Sequence, residues 1–186
     1  MNDHLLWIDL ETTGSDVTKD CIIEIGAILT TTDLKVLDEY QTLVRPTAEG
    51  FGRLMLNAYV REMHEKNGLT AALLDPNAPD KPSPHEAAKD LLAWAEEQGA
   101  ARGKMVLAGS GVGHFDRRFI DRYLGELSKA LRYWCIDIGV IRRAHEMWVG
   151  PRPSDANDGK THRALDDIRC HVEEARAFAE LWSAPS

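Results

Sequence analysis

The sequence predicts an α/β fold with a mixed five-stranded sheet flanked by helices. Three apolar, β-branched runs follow one another near the start of the chain, and short apolar runs then alternate with segments of helical spacing. A length of 186 residues is typical of one domain, with enough chain to bury a core without disulfides. We therefore expect residues 1–186 to form a single domain.

The first strand is expected near the start of the chain, in a stretch dominated by large apolar side chains. Short polar segments separate it from the next two strands, as in a meander of hairpins. Two further apolar runs in the second half of the chain complete the sheet. The expected strands are Leu5–Leu10, Cys21–Thr30, Leu34–Val44, Lys104–Ala108 and Tyr133–Ile138.

The helices are expected where apolar residues recur at intervals of three and four. Two segments rich in proline, glycine and polar residues, Asp75–Pro84 and Gly150–Lys160, are expected to be loops. The expected helices are Arg53–Lys66, His85–Glu97, Phe115–Leu127, Ile138–Met147 and about Arg163–Trp182.

The charge of the chain limits its partners. The formal net charge is −8, which argues against a protein that holds long nucleic acid through a basic surface. A nuclease remains compatible with this charge, because a cluster of acidic groups can bind cations that in turn receive a phosphate.

The cysteines and the first residues indicate the compartment. Cys21, Cys135 and Cys170 are far apart and form no CxxC pair, which argues against a disulfide framework or a zinc finger. The first residues lack the basic start of a signal peptide, and no apolar run reaches the roughly 18 residues of a membrane span. We expect a cytoplasmic protein.

Two carboxylates, Asp9 and Glu11, interrupt the first strand. Residues two apart on a strand point to the same face, so these side chains should lie together. An edge strand in water could tolerate them, but their apolar neighbours indicate an interior strand, where paired carboxylates favour a metal site. Thr12, Thr13 and Gly14 follow as a tight turn, whose backbone N–H groups could hold a phosphate or the end of a substrate.

Asp116 lies in the segment GHFDRRFI, at the start of a predicted helix that follows a strand. An acidic residue there can simply stabilise the helix dipole. In an α/β fold, however, sites form at the ends of strands and in the adjoining loops, which makes Asp116 a candidate ligand.

The segment THRALDDI opens the last helix. Thr161 can cap this helix, and Asp166 and Asp167 favour its first turn, so helix capping is one interpretation. In the alternative interpretation His162 is a general base and one of the two aspartates binds a metal ion. The spacing does not choose between Asp166 and Asp167.

Together these residues predict one chemistry. Acidic ligands without paired histidines or cysteines suit Mg²⁺ or Mn²⁺ and argue against a zinc hydrolase. Two such ions about 4 Å apart can activate water and stabilise the leaving oxygen of a phosphodiester. A histidine beside the attacking water would complete the set.

The motifs WIDLETTG, CIIEIGAI, HFDRRFI and HRALDDI, taken in this order, resemble the DEDDh family of 3′→5′ exonucleases. Within that family the chain is most similar to the oligoribonucleases, whose MHxxSGL stretch is echoed by MHEKNGL at residues 63–69. The resemblance extends over nearly the whole chain. It implies an RNase-H-like sheet and a homodimer.

The resemblance also implies roles for individual residues. It favours Asp167 over Asp166, so that Asp9, Glu11, Asp116 and Asp167 would hold two metal ions, with His162 as general base. His64 matches a histidine near the end of a dinucleotide substrate. Tyr59 stands where a base-stacking tryptophan is expected, and an aromatic replacement keeps stacking available.

Three departures concern the substrate. Ser15 replaces a leucine that wedges against a base, and Trp134 and Gly139 stand where an arginine and a serine that close over the terminal phosphate are expected. These changes spare the metal chemistry. The expected activity is hydrolysis of short single-stranded RNA to 5′-mononucleotides, with a DNA-trimming or proofreading exonuclease as the alternative and a non-catalytic binding module as a third class.

Overall fold

The predicted mixed five-stranded sheet is confirmed in a computed structural model, which describes residues 3–155 and 161–183. The strand order is β3-β2-β1-β4-β5. β2 is antiparallel to both β1 and β3, whereas β4 is parallel to β1 and β5 is parallel to β4. The strands are β1 (His4–Thr12), β2 (Ile22–Thr31), β3 (Val36–Leu43), β4 (Met105–Gly109) and β5 (Leu131–Asp137).

Eight helices are found in the described part of the chain. A proline-rich connector without regular structure leads into the fourth, which begins with a capping box between Ser83 and Glu86. The predicted loop Gly150–Lys160 lies partly outside the described residues. The helices are α1 (Ala48–Leu56), α2 (Ala58–Lys66), α3 (Leu69–Leu74), α4 (Pro84–Glu97), α5 (Asp116–Tyr123), α6 (Gly125–Ala130), α7 (Ile138–Trp148) and α8 (Ala164–Ser183).

The helix predicted over Arg53–Lys66 is in fact two helices, α1 and α2, that meet at Asn57. The backbone of Asn57 is extended, and its N–H closes α1 on the carbonyl of Arg53. Its side chain accepts a hydrogen bond from the N–H of Val60 and so caps α2. One residue thus ends the first helix and starts the second, a break that apolar periodicity does not reveal.

One further helix prediction was wrong in detail, and one helix was missed. The helix predicted over Phe115–Leu127 divides at Leu124, which has a non-helical backbone with φ −117° and ψ 49°. The short helix α3 was not predicted. It begins after Gly68, whose φ of 80° is readily adopted by glycine.

Side chains of the central strand β1 alternate between two apolar layers. Leu6, Ile8 and Leu10 face a core formed with α4, α5 and α6, whereas Leu5 and Trp7 pack against α8. Because alternate residues share a face, Asp9 and Glu11 continue the row of Trp7 on the α8 side. The two carboxylates therefore point toward the start of α8.

A glycine in β2 lets α8 approach the sheet closely. A Cβ on Gly26 would lie 2.6 Å from the backbone N of Leu165 and 2.7 Å from the carbonyl carbon of Ala164. Gly26 is also the cross-strand partner of Asp9. The first turn of α8 is thereby brought beside the acidic end of β1.

Within the described part of the chain, every helix is too short or too polar to cross a bilayer.

Candidate active site

Five residues from three separate segments line one cavity of about 420 Å³. The cavity lies at the end of β1, and α2, α5 and the start of α8 also contribute to its walls. The sequence predicted all five as metal ligands or general base, and the structure brings them together. They are Asp9, Glu11, Asp116, His162 and Asp167.

Glu11, His162 and Asp167 form the most compact group in the cavity. One ligand atom from each lies within 4.8 Å of the others, close enough to share a cation. Glu11 and Asp167 are buried, whereas His162 is partly exposed at the cavity wall. Carboxylate oxygens suit a hard divalent cation such as Mg²⁺ or Mn²⁺, so these residues fit the predicted metal.

Asp116 reaches the site from the first turn of α5. Its Oδ1 accepts a hydrogen bond of 3.0 Å from the backbone N–H of Leu10, between the two acidic residues of β1. The β1–β4 ladder extends only as far as Trp7 and Ala108, and the N–H of Leu10 lies beyond that point. Asp116 satisfies this donor and is held, buried, beside Asp9 and Glu11.

The structure separates the two aspartates that the spacing left as alternatives. Asp167 is buried, lines the cavity and accepts a hydrogen bond of 3.0 Å from the backbone N–H of Thr161. Asp166 is half exposed and forms an ion pair with Arg169 on the outer side of α8. Only Asp167 shares the cavity with Glu11 and His162.

The predicted substrate-binding residues divide into two groups. Thr12, Gly14 and Tyr59 line the cavity, and the Tyr59 side chain is 77% exposed. Among the described residues, Thr13 and His64 are not part of that lining, and both are buried.

Thr13 and His64 instead support the cavity from behind. The hydroxyl of Thr13 accepts a hydrogen bond from the N–H of Cys21, which joins the turn to the start of β2. Nε2 of His64 lies 3.1 Å from the carbonyl oxygen of Thr12 and 3.9 Å from Oε2 of Glu11. Neither side chain is therefore exposed in the cavity.

Two of the positions that depart from the family pattern, Ser15 and Gly139, lie at or next to the cavity. Ser15 lines the cavity, so a small polar side chain stands where a wedge was expected. Gly139 is buried in the first turn of α7, and a Cβ there would lie 2.7 Å from Oγ of Ser110, itself a lining residue. A side chain at position 139 would therefore require the Ser110 side chain to shift.

Glu24 was not singled out from the sequence. It is fully buried in β2 as the cross-strand partner of Glu11, and its carboxylate binds Arg163 and the N–H of Ala164 at the start of α8. A signal was available, because a glutamate inside an apolar strand requires buried partners.

The crowding of carboxylates changes the protonation of Glu11. Burial raises the pKa of Glu11 to about 10, and repulsion from Asp9, Asp167, Glu24 and Asp116 adds to this rise. Without metal the folded chain therefore binds a proton at Glu11, at a pH where the unfolded chain has released it. A divalent cation would relieve both causes of this shift.

This shift predicts a metal-dependent response of stability to pH. In the window between the ordinary pKa of 4.5 and about 10, the metal-free folded state binds more protons at Glu11 than the unfolded state, so this residue lowers stability as pH rises. We expect Mg²⁺ to raise Tm more at about pH 8.5 than at about pH 6, because the ion must displace this proton and the cost of doing so grows as the pH falls further below the pKa of about 10. Thermal melts with and without Mg²⁺ measure the difference.

Glu11→Gln is the control for that experiment, since it removes the titrating group. The pH dependence of the Mg²⁺ effect should shrink in this variant. An equal rise of Tm at both pH values in the unmodified protein would contradict the prediction.

Comparisons with known proteins agree with this geometry. A family model described as Exonuclease, RNase T, matches residues 6–175. The mitochondrial oligoribonuclease of Homo sapiens is 31% identical over 179 residues, which cover 96% of this chain and 73% of that protein. The oligoribonuclease of Streptomyces griseus is 33% identical over 189 residues, covering 100% of this chain and 89% of its own length.

Solved structures show the same fold in larger proteins. The zinc-bound complex of E. coli exonuclease I with single-stranded DNA superposes with a TM-score of 0.65 at 13% identity, over 98% of this chain and 43% of that one. Exonuclease I of Methylocaldum szegediense gives a TM-score of 0.64 at 17% identity, over 96% and 40% of the two chains. The present chain thus spans about two fifths of these proteins, and at such identities the likeness concerns the fold.

Proposed function

Because this chain belongs to the exonuclease family RNase T, we propose that it is a metal-dependent 3′→5′ exonuclease that degrades short single-stranded RNA to 5′-mononucleotides. The predicted resemblance to oligoribonucleases is confirmed. The observation that carries the proposal is the meeting of four carboxylates and one histidine in a single cavity. Residues 1–186 would constitute one exonuclease domain.

In this proposal Asp9, Glu11, Asp116 and Asp167 hold two divalent cations, Mg²⁺ or Mn²⁺. When bound, such ions activate water and stabilise the leaving oxygen in phosphodiester hydrolysis. The protein contributes a fixed set of oxygen ligands. The hydrogen bond from the N–H of Leu10 to Oδ1 of Asp116 holds α5 in place against β1. Calorimetric titration with Mg²⁺ and with Mn²⁺ would identify the preferred ion.

His162 would take the proton from the attacking water. Its ring lies beside Glu11 and Asp167 and is partly open to solvent, as a base that must return its proton to water should be.

The substrate would enter over Tyr59. This exposed ring can stack on a base without regard to sequence, while Thr12 and Gly14 form the wall next to the acidic cluster. Thr13 and His64 would act indirectly, by holding Thr12 and Glu11 in place.

A second groove of about 720 Å³ adjoins the cavity, and Tyr59, Met63 and His162 line both. It offers room for a further nucleotide. Two basic and two acidic side chains line it, namely Lys66, Arg163, Glu62 and Asp166. This balance, with a net charge of −8, favours a short substrate over a long polyanion.

The test is a time course with 5′-labelled RNA of two, five and twenty nucleotides and with matching DNA, in Mn²⁺ and in excess chelator. We expect metal-dependent loss of the RNA dinucleotide well ahead of the twenty-mer. Equal or faster trimming of long RNA or of DNA would favour the alternative, a DNA-trimming or proofreading exonuclease. Absence of cleavage on every substrate would leave the non-catalytic binding module.

We also propose a homodimer. Large apolar side chains are exposed on the edge strand β5, on α7 and near the end of α8, among them Trp134, Trp148 and Trp182. Edge strands and apolar patches of this kind favour association. Sedimentation velocity would measure the assembly directly.

A cytoplasmic location is part of the same proposal. It is supported by the free thiols of Cys21 and Cys135, which suit a reducing compartment. Fractionation of cells that express the tagged chain would test it.

A further inference from the structure

We infer that Glu24 is a positioning residue, which fixes the backbone that carries His162 and thereby places the general base. The inference rests on the proposed function, because it assigns His162 that role. Glu24 lies in β2, outside the cavity lining, and would act without touching substrate.

Four donors converge on the carboxylate of Glu24. Nε and Nη2 of Arg163 lie 3.1 and 2.7 Å from Oε1, and the backbone N of Ala164 lies 3.0 Å from Oε2. Nε2 of Gln41 on the neighbouring strand donates to Oε1 at 2.9 Å. A fully buried carboxylate with this many donors is held in one orientation, and it holds the donors in turn.

Three of these donors belong to Arg163 and Ala164, the two residues that directly follow His162. His162 has a φ of 55°, a left-handed conformation that is uncommon for a residue with a side chain. Such a conformation persists only where the surrounding structure holds it. Glu24 holds the chain on the C-terminal side of His162, and Nδ2 of Asn67 donates to the carbonyl oxygen of His162 itself.

The location of Glu24 argues against a role in the strand alone. It faces Glu11 across the β1–β2 ladder, where another carboxylate adds to the repulsion within the acidic cluster. An apolar residue would suit a buried strand better. At this position the carboxylate of Glu24 forms hydrogen bonds with Arg163 and Ala164, next to His162.

The test compares Glu24→Gln with Glu174→Gln. Glu174 is also fully buried and pairs with an arginine, Arg142, but it lies on α8 well beyond the first turn. Both variants lose one buried ion pair and should lose thermal stability. We expect only Glu24→Gln to lower kcat, by about 10–100-fold, with KM within about twofold of the unmodified protein.

A double-mutant cycle shows whether Glu24 acts through His162. In a His162→Ala background, Glu24→Gln should change kcat by less than about twofold, because the group that it positions is gone. A full loss in that background, or an equal loss of kcat in Glu174→Gln, would overturn the inference. If Glu24→Gln does not fold, Asn67→Ala releases the other side of His162 and should show the same non-additivity.

A measurement that does not depend on catalytic activity separates this inference from the proposed function. The ¹³Cα and ¹³Cβ chemical shifts of His162 report its backbone conformation. They should carry the left-handed signature in the unmodified protein and in Glu174→Gln, and lose it in Glu24→Gln. If Glu24→Gln retained the left-handed chemical shifts of His162, the inference would be overturned even in an active enzyme. If Glu24→Gln lost them but the unmodified protein cleaved no RNA, Glu24 would still hold the backbone of His162 and only the proposed function would fail.

Discussion

Asp167→Asn should lower kcat for cleavage of an RNA dinucleotide by roughly 10³-fold or more, because a metal ligand supplies several kcal/mol of transition-state stabilisation and each 1.36 kcal/mol is tenfold in rate. Asp167 is buried beside Glu11 and His162, so no other described aspartate on α8 can replace it at the same point. Its neutral amide would also weaken the binding of a divalent cation. Single-turnover cleavage and calorimetry with Mn²⁺ measure the two effects.

Asp166→Asn is the matched control for this prediction. It is the same substitution one residue earlier in α8, on a half-exposed side chain that pairs with Arg169. Exposed pairs contribute little, so its rate should stay within about twofold of the unmodified protein. A comparable loss in both variants would mean that the assignment of Asp167 to the metal site is wrong.

The stability of metal-free Asp167→Asn distinguishes a lost ligand from a lost fold. Asp167 is among the charges that raise the pKa of Glu11, so its neutralisation removes repulsion within the cluster. Its Tm without metal should therefore be no lower than that of the unmodified protein. A large fall in Tm would instead attribute the loss of activity to unfolding.

His162→Ala should lower kcat by about 10²–10⁴-fold, the usual contribution of a positioned general base. The four carboxylates remain in this variant, so its affinity for Mn²⁺ should fall much less than in Asp167→Asn. Added imidazole should restore part of the rate, since a small base can occupy the space that the side chain leaves. Cleavage under saturating Mn²⁺, with and without imidazole, measures the loss of kcat and its rescue. Calorimetry measures the affinity for Mn²⁺.

His85→Ala provides the control for the histidine. His85 is exposed on the first turn of α4 and does not belong to the cavity lining. Its rate should be unchanged, with or without imidazole. If His162→Ala lost metal binding as completely as Asp167→Asn, His162 would be a ligand and not the base.

Local patterns in the sequence were sufficient for the sheet and for most of the acidic cluster. Alternation along the first strand places Asp9 and Glu11 on one face, whatever the remaining chain does. The run of apolar neighbours identified an interior strand, and β1 is the central strand of the sheet. Asp116 marks the start of a helix in both the sequence and the structure, and here it also binds the backbone of Leu10.

Contacts between distant segments decided what the sequence left open. The spacing allowed Asp166 or Asp167, and the choice depends on how α8 is rotated against β2, which the close approach at Gly26 fixes. The break at Asn57 follows from one side chain that caps a helix, a feature without a periodic signature. Neither the choice of aspartate nor the helix break can be predicted from a sequence pattern, because each depends on contacts that exist only in the folded chain.

The fold class, the family and the acidic residues that could bind metal ions were predictable from the sequence alone, because these depend on hydrophobic periodicity and on motifs within short segments. Only the tertiary structure showed that Thr13 and His64 lie behind the cavity and that Glu24 holds the segment next to His162. The physical reason is that burial and hydrogen bonding of a polar side chain depend on which other segments pack around it. For Glu24 those segments are β3 and the start of α8, the latter 139 residues away along the chain.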